Sequence, residues 1–433
     1  MPGSFMRSAR WVRLAGLVWV SGVGGFMATG AAVRPFPAGT GFVHGVTYAG
    51  AAEDGSLEAD LEVIAGLGAN AIRNWGGGEE TRAMLDAAHR HGLKVVLGIW
   101  MRHGRAGAEG VDNFNYLTDE AGMEAQYASA VAAVKAYHDH PALLAWGIGN
   151  EVVLNTATDA GKEAYAKFLE RVVQAAKVID PVHPVGSVSA WSIAWPWWEK
   201  FTPSLDFYGI NTYGYGAAAV PSERTRLGVT KPYLVTEFGA SGEWEAPVGA
   251  HGVKIEPDDA HKYAIISPGF HDLLEAHRGT DGCLGGFVFH YGSGKMDHTS
   301  MWLGLRIEGK NRPSYWATRE AFTGQPPLDY PPVISSFLVR GSAKALPAGT
   351  WVAMRVDYED AENAPCQVTF AGNLREQPWP AKDTIEKLES RPTDTPGVFE
   401  VRLPDRAGAW KLYALVSDPY PNQASATTAV LVQ

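Results

Sequence analysis

A chain of 433 residues is long enough to bury a large core and to fold as two domains. With 19% charged and 46% hydrophobic residues it has the balance of an ordinary soluble globular protein. Its formal charge of −10, with no basic run, argues against nucleic acid as a partner, because such binding relies on clustered Lys and Arg. Two cysteines, Cys283 and Cys366, exclude a disulfide scaffold and leave one bridge open. No zinc-type Cys/His spacing occurs, and neither a metal nor another cofactor is expected.

Arg7, Arg10 and Arg13 precede the stretch LAGLVWVSGVGGFMATGAA. Positive residues, an apolar run and a small-residue zone near Thr29 to Ala32 are the marks of a signal peptide over 1–32. The run is Gly-rich and short for a membrane span. Export to the periplasm or the medium is therefore expected, with membrane contact only through this segment if it stays uncleaved.

Strand-like and helix-like segments then alternate. FVHGVTYA (42–49) reads as a first strand, and SLEADLEVIAGLG follows as a helix with Leu57, Leu61, Ile64 and Leu67 on one face and Ser56 as its N-cap. NAIRNW (70–75), a helix over 79–91, LKVVLGIW (93–100) and a helix over 119–139 come next. LLAWGIGN (143–150) is apolar on both faces, as a strand of a covered parallel sheet would be. Further strands are predicted at 184–189, 205–213, 232–239 and 283–291, with helices at 159–179, 258–277 and 312–322. Eight apolar strands over about 280 residues fit a (β/α)8 barrel spanning 38–325, whose active site would lie at the carboxyl ends of the strands. A doubly wound sheet would need a Gly-rich phosphate turn after its first strand, and GVTYAGAAEDG is not one. TGQPPLDYPPV (323–333) is a Pro-rich break. The short alternating strands beyond it predict an all-β, immunoglobulin-like sandwich over 331–433.

What the barrel strands present where they stop decides the chemistry. The second ends in Arg73, Asn74 and Trp75, and the third in Trp100. The fourth ends in Asn150 and Glu151, the sixth in Asn211 and Tyr213, the seventh in Glu237, the eighth in His290 and Tyr291. Two carboxylates would thus face one mouth lined with amides and aromatic rings. Such a pair suits cleavage of a glycosidic bond: one carboxyl donates a proton to the leaving oxygen while the other, ionised, works at the anomeric carbon. Their separation would decide between retention and inversion, and sequence does not measure it. Arg73 by charge and Tyr213 by a hydrogen bond are placed to keep one Glu ionised. Asn150 is a candidate for holding a sugar 2-hydroxyl. Trp75, Trp100, Trp191, Trp302 and Tyr291 offer flat apolar faces for a sugar ring. Core packing competes for the tryptophans, most of all for those among Trp191, Trp195, Trp197 and Trp198.

GNE closing the fourth strand, DFYGINTY on the sixth and TEFG on the seventh resemble the clan of retaining (β/α)8-barrel glycoside hydrolases with two catalytic Glu. GNEV, E-FG and GGFVFHY are similar to the fungal β-1,3-glucanosyltransferases. NAIRNW and AAHRHGLKVVLGIW look closer to the barrel of the β-galactosidase and β-glucuronidase family. The resemblance implies Glu151 as general acid/base, Glu237 as nucleophile, Asn150 on the 2-hydroxyl, and Arg73 and Tyr213 beside the nucleophile. Where many clan members carry a Trp on the eighth strand, this chain reads FVFHYGSG, so His290, Tyr291 or Trp302 takes that place. The expected activity is hydrolysis or transglycosylation of a β-linked glucan or oligosaccharide. The alternative is a non-catalytic carbohydrate-binding or envelope scaffold protein that retains the barrel. Trp351 and Trp379 are candidate sugar contacts in the C-terminal part, with packing the stronger reading.

Overall fold

The eight apolar runs close into one parallel barrel: β1 Val43–Thr47, β2 Ala71–Asn74, β3 Lys94–Ile99, β4 Leu143–Asn150, β5 Val185–Ala190, β6 Phe207–Asn211, β7 Tyr233–Phe238 and β8 Cys283–Val288. Each strand pairs with the next, and β8 pairs back onto β1. The computed structural model describes residues 33–50, 57–76, 78–105, 112–279, 281–292, 294–376 and 384–433. The signal-like segment 1–32, the N-cap expected at Ser56 and Trp379 lie outside them.

Helices α1 Leu57–Gly66, α2 Thr81–Arg90, α3 Glu120–Tyr137 and α4 Asp159–Ile179 follow the first four strands. In α4 the buried Tyr165, Phe168, Leu169, Val172, Val173 and Ala176 recur at helical spacing, and Thr158 caps its first turn by accepting from the Gly161 N–H. After β5 and β6 come only α5 Trp195–Phe201 and α6 Val220–Leu227, each with a proline in its first turn. At seven and eight residues they are too short to show a period, which is why the sequence reading left those connections without helices. Helices α7 Asp259–Leu273, α8 His298–Leu303 and α9 Pro313–Thr323 complete the ring, with a small hairpin, β9 Arg306–Ile307 and β10 Lys310–Asn311, between the last two.

Alternation along the strands sorts the side chains. Ile72, Val95, Leu97, Trp146 and Ile148 pack outward in the large core shared with the helices. Val43, Ala71, Val96, Leu144, Ala145, Phe207, Leu234 and Phe287, drawn from seven of the eight strands, form a separate cluster within the barrel. Two of these are phenylalanines, and each faces a glycine in register: Phe207 opposite Gly186, Phe287 opposite Gly45. A Cβ at either glycine would lie within 2.4 Å of the facing ring, so these are matched large and small positions. Replacing either ring with Ala would cost about 3–5 kcal/mol.

The C-terminal part holds two four-stranded antiparallel sheets. One has the order β11-β12-β16-β15 and the other β14-β13-β17-β18. Their ranges are β11 Val333–Val339, β12 Trp351–Glu359, β13 Gln367–Leu374, β14 Glu386–Leu388, β15 Ser390–Pro392, β16 Val398–Arg402, β17 Gly408–Ser417 and β18 Gln423–Val432. Phe337, Met354, Val356 and Val401 of one sheet meet Phe370, Trp410, Leu412, Ala414 and Val416 of the other in a single core, as in a sandwich. Strand β17 is buried on both faces. Its Trp410, Leu412, Ala414 and Val416 face that core, while Tyr413 and Leu415 pack with Met301 and Ile307 of the barrel side. Asn422, which accepts from the Trp316 indole N–H at 2.8 Å, and Ser425, whose N–H donates to Asp259 at 2.7 Å, extend this contact. Cys283 and Cys366 are both free thiols, so the one bridge the sequence left open is not formed.

Candidate active site

The site begins with a break in strand regularity. Gly149 adopts φ 75, and the β4–β5 register shifts between Gly147 and Asn150. A side chain on Gly149 would collide with the Tyr165 hydroxyl, 2.4 Å from its Cβ position, and would disfavour the left-handed backbone as well. The bulge re-aims the next two residues. Glu151 itself sits at φ 51, uncommon for a residue with a side chain, and its N–H donates to the Val188 carbonyl at 2.9 Å. Such a backbone costs about 1–3 kcal/mol and persists where the surroundings fix it.

Arg73, at the end of β2 and 3% exposed, organises the floor. Its Nη1 donates to Glu237 Oε1 at 2.8 Å and to the Thr236 carbonyl at 2.9 Å, and its Nη2 donates to Asn150 Oδ1 at 2.7 Å. The Tyr213 hydroxyl donates to the other oxygen of Glu237 at 2.6 Å. Both carboxylate oxygens of this buried acid are thus engaged by donors. Burial, then the negative charges of Glu237 and Glu151, push the Tyr213 phenol well above its ordinary value, so it stays a donor.

Asn211 joins the two halves. Its Nδ2 donates to Glu151 Oε1 at 2.8 Å and to Asn150 Oδ1 at 3.3 Å, while its own oxygen accepts from the Thr236 hydroxyl at 2.8 Å. Because Arg73 can only donate, Asn150 presents its oxygen, and Asn211 must therefore meet it with Nδ2, which fixes which way the Asn211 amide faces. One connected set of hydrogen bonds therefore runs from Glu151 through Asn211, Asn150 and Arg73 to Glu237 and Tyr213. Behind it, His103 Nε2 donates to the Asn150 carbonyl at 2.9 Å, and burial holds this imidazole below its usual pKa.

The aromatic candidates separate. Trp75 is half-buried beside the floor, with the Arg73 guanidinium 4.9 Å from its ring centre. Trp100 is half-buried against His103. Trp191, half-buried, sits at φ 50 after β5, its N–H donating to the Asn211 carbonyl at 3.0 Å. His290 is half-buried; burial pushes its imidazole down to about 4, so it is neutral near pH 7.

Tyr291 and Trp302 turn inward instead of offering a sugar an open face. Tyr291 packs edge-on against Tyr48 and accepts from Arg306 at 3.0 Å. Trp302, 2% exposed, donates its indole N–H to the Ser241 carbonyl, and the Lys411 ammonium lies 3.8 Å above its ring. The ring that meets the site from the eighth strand is Phe289, edge-on to both Trp75 and Tyr213 at 5.9 Å. Sequence reasoning passed over it for its polar neighbours, although FVFHY alternates in a way that sets Phe289 apart from Val288. Trp244, edge-on to Tyr213 at 4.9 Å, was also missed. Its signal was a lone Trp in the polar loop SGEWEAP just behind TEFG. Among the described residues no group of three or more His, Cys, Asp or Glu is placed to hold a metal ion.

Residues 49–257 match the family described as glycosyl hydrolases family 2, TIM barrel domain. No curated protein matches the sequence. Solved structures similar to this chain include Bacteroides uniformis β-glucuronidase 3, with 14% identity over 90% of this chain and 49% of that one, TM-score 0.47. A putative β-galactosidase from Bacteroides fragilis has 14% identity over 90% of this chain and 54% of that one, TM-score 0.46. The β-D-glucuronidase of Dictyoglomus thermophilum has 18% identity over 68% of this chain and 51% of that one, TM-score 0.46. The chain spans about half the length of these proteins. The closed eight-stranded barrel agrees with the TIM-barrel description of the family matched over residues 49–257, and the fold is similar to that of the (β/α)8-barrel glycoside hydrolases.

Proposed function

We propose that this chain is an exported retaining β-glycoside hydrolase or transglycosidase acting on a β-linked glucan or oligosaccharide. The observation that carries the reading is the pair of glutamates at the ends of β4 and β7, joined through Asn211, Asn150 and Arg73 and held unequally. Glu237 accepts from a guanidinium and a phenol, one on each oxygen, which orient the carboxylate for attack. Glu151 accepts from a neutral amide, which suits a group that must carry a proton and then take one back.

In the first step Glu151 gives its proton to the glycosidic oxygen as a Glu237 oxygen bonds to the anomeric carbon and the C–O bond breaks. In the second, Glu151 takes a proton from water, whose oxygen attacks the anomeric carbon and releases Glu237. A sugar hydroxyl in place of water makes the same step a transfer. With its oxygen engaged by Arg73 and Asn211, Asn150 turns a donor towards the 2-hydroxyl. The positive, apolar and small-residue order of segment 1–32 supports export.

Azide tests the roles. A Glu237→Ala variant should convert an activated β-glycoside to the α-glycosyl azide, and Glu151→Ala should yield the β-azide. The opposite pattern would reverse the assignment, and activity untouched by either change would favour the non-catalytic scaffold. Products longer than the substrate would establish transfer.

A further inference from the structure

We propose that Trp244 is the platform of an outer sugar subsite, stacking the sugar unit next to the one bound over Glu237; this rests on the glycosidase reading above. The loop after β7 is fixed on one side and open on the other. Ser241 accepts from the Trp302 indole N–H at 2.9 Å, and Ala246 packs with Trp302 and Leu303. Glu243 pairs with His298 at 3.1 Å and with Arg375 from the C-terminal sandwich, which holds its carboxyl below the usual range although burial opposes this. The Ala246 carbonyl accepts from Lys254 at 2.6 Å.

Among these anchors the Trp244 ring points out, 63% exposed. Its ring folds over Gly242, where any Cβ would lie 2.3 Å from the indole, and one edge rests on Tyr213. An indole held in one orientation beside the residue that bonds Glu237 is preorganised for a flat apolar sugar face and loses little entropy on binding. Trp75 and Phe289 already wall the space next to Arg73 and Tyr213, so the ring further out serves a second unit.

The test uses the full chain, a panel of monosaccharyl β-fluorides, and β-linked oligosaccharides of the same sugars. A fluoride fills only the inner position, because fluoride ion offers nothing to stack. Trp244→Ala should leave kcat/KM on the fluoride within about twofold and raise KM on the oligosaccharide about tenfold with kcat little changed, the size expected for one aromatic contact. Trp244→Phe, which keeps a flat ring, should recover most of that loss. Equal loss on both substrates would make the ring a structural support for Tyr213, and no change on either would make it an idle surface residue; both results overturn the proposal. Should wild type turn over no member of the panel, or Glu237→Ala match it, the glycosidase reading fails and the subsite with it.

Discussion

Two places in this protein hold charge away from water, and they differ in what the charge is for. At the barrel mouth, one guanidinium, two amides and a phenol surround two carboxylates, and every bond fixes an orientation. Where β17 meets the barrel, Glu256 lies between Lys262 at 2.7 Å and Lys411 at 3.1 Å, all three nearly sealed from solvent. Burial alone would raise the Glu256 carboxyl, yet the two ammonium groups pull it down to about 2. Lys411 moves down as well, to about 8, because burial and the nearby Arg375 outweigh its share of that carboxylate. The mouth arranges charge for a ligand; the closed cluster cancels charge within the fold. Similar desolvation therefore has different consequences when a partner is removed.

Arg73→Met should produce the largest effect, since it breaks both kinds of role at once. Leaving Glu237 buried without its counter-charge should cost about 3–5 kcal/mol of stability, and loss of the positioning donor should lower kcat/KM on the order of 10³-fold. Denaturant titration and glycosyl fluoride kinetics measure the two separately. Lys411→Met should come next, with a loss of roughly 3 kcal/mol in stability and near wild-type kcat on the fluoride at low temperature. A collapse of kcat there would show that the two regions are one unit, against the contrast drawn above.

The smallest effect is a slope. Glu256 and Glu243 have folded pKa values below their ordinary value of 4.5, so their stabilisation is complete above about pH 4.5 and is lost as pH falls towards 2. Protonating Glu256 leaves Lys262 and Lys411 facing each other, with His298 near by. His298, held low by burial, adds a loss of the same sign that begins at higher pH. Stability should fall by up to about 1.4 kcal/mol per pH unit for each carboxylate. Melting curves between pH 6 and pH 3 measure it, and Glu256→Gln should flatten the slope.

The barrel was legible because its signals are local. Strands β1 to β8 are short apolar runs, and α1 to α4 carry a full helical period with glycine or capping signals at their ends. The short α5 and α6 were not legible, since two turns of helix give no period to read. At the mouth, Glu151 and Glu237 stood out because an acid straight after an apolar strand needs a reason. The weak point was the aromatic lining. Tyr291 and Trp302 have the right composition for a sugar platform and the wrong surroundings, a buried Tyr48 and a lysine over the ring face.

By itself the sequence determined the order of the eight barrel strands and of helices α1 to α4, the acids at the ends of β4 and β7, and the change to alternating strands after residue 331. Those features depend on period, propensity and spacing along the chain. Tertiary structure decided the rest: that Asn211, Asn150 and Arg73 link Glu151 to Glu237, that Phe289 and Trp244 lie against Tyr213 while Trp302 turns inward, and that β17 is buried on both sides by two different cores. Each of these depends on which residues far apart in sequence share a surface, and on charges that are tolerable only once their partners arrive.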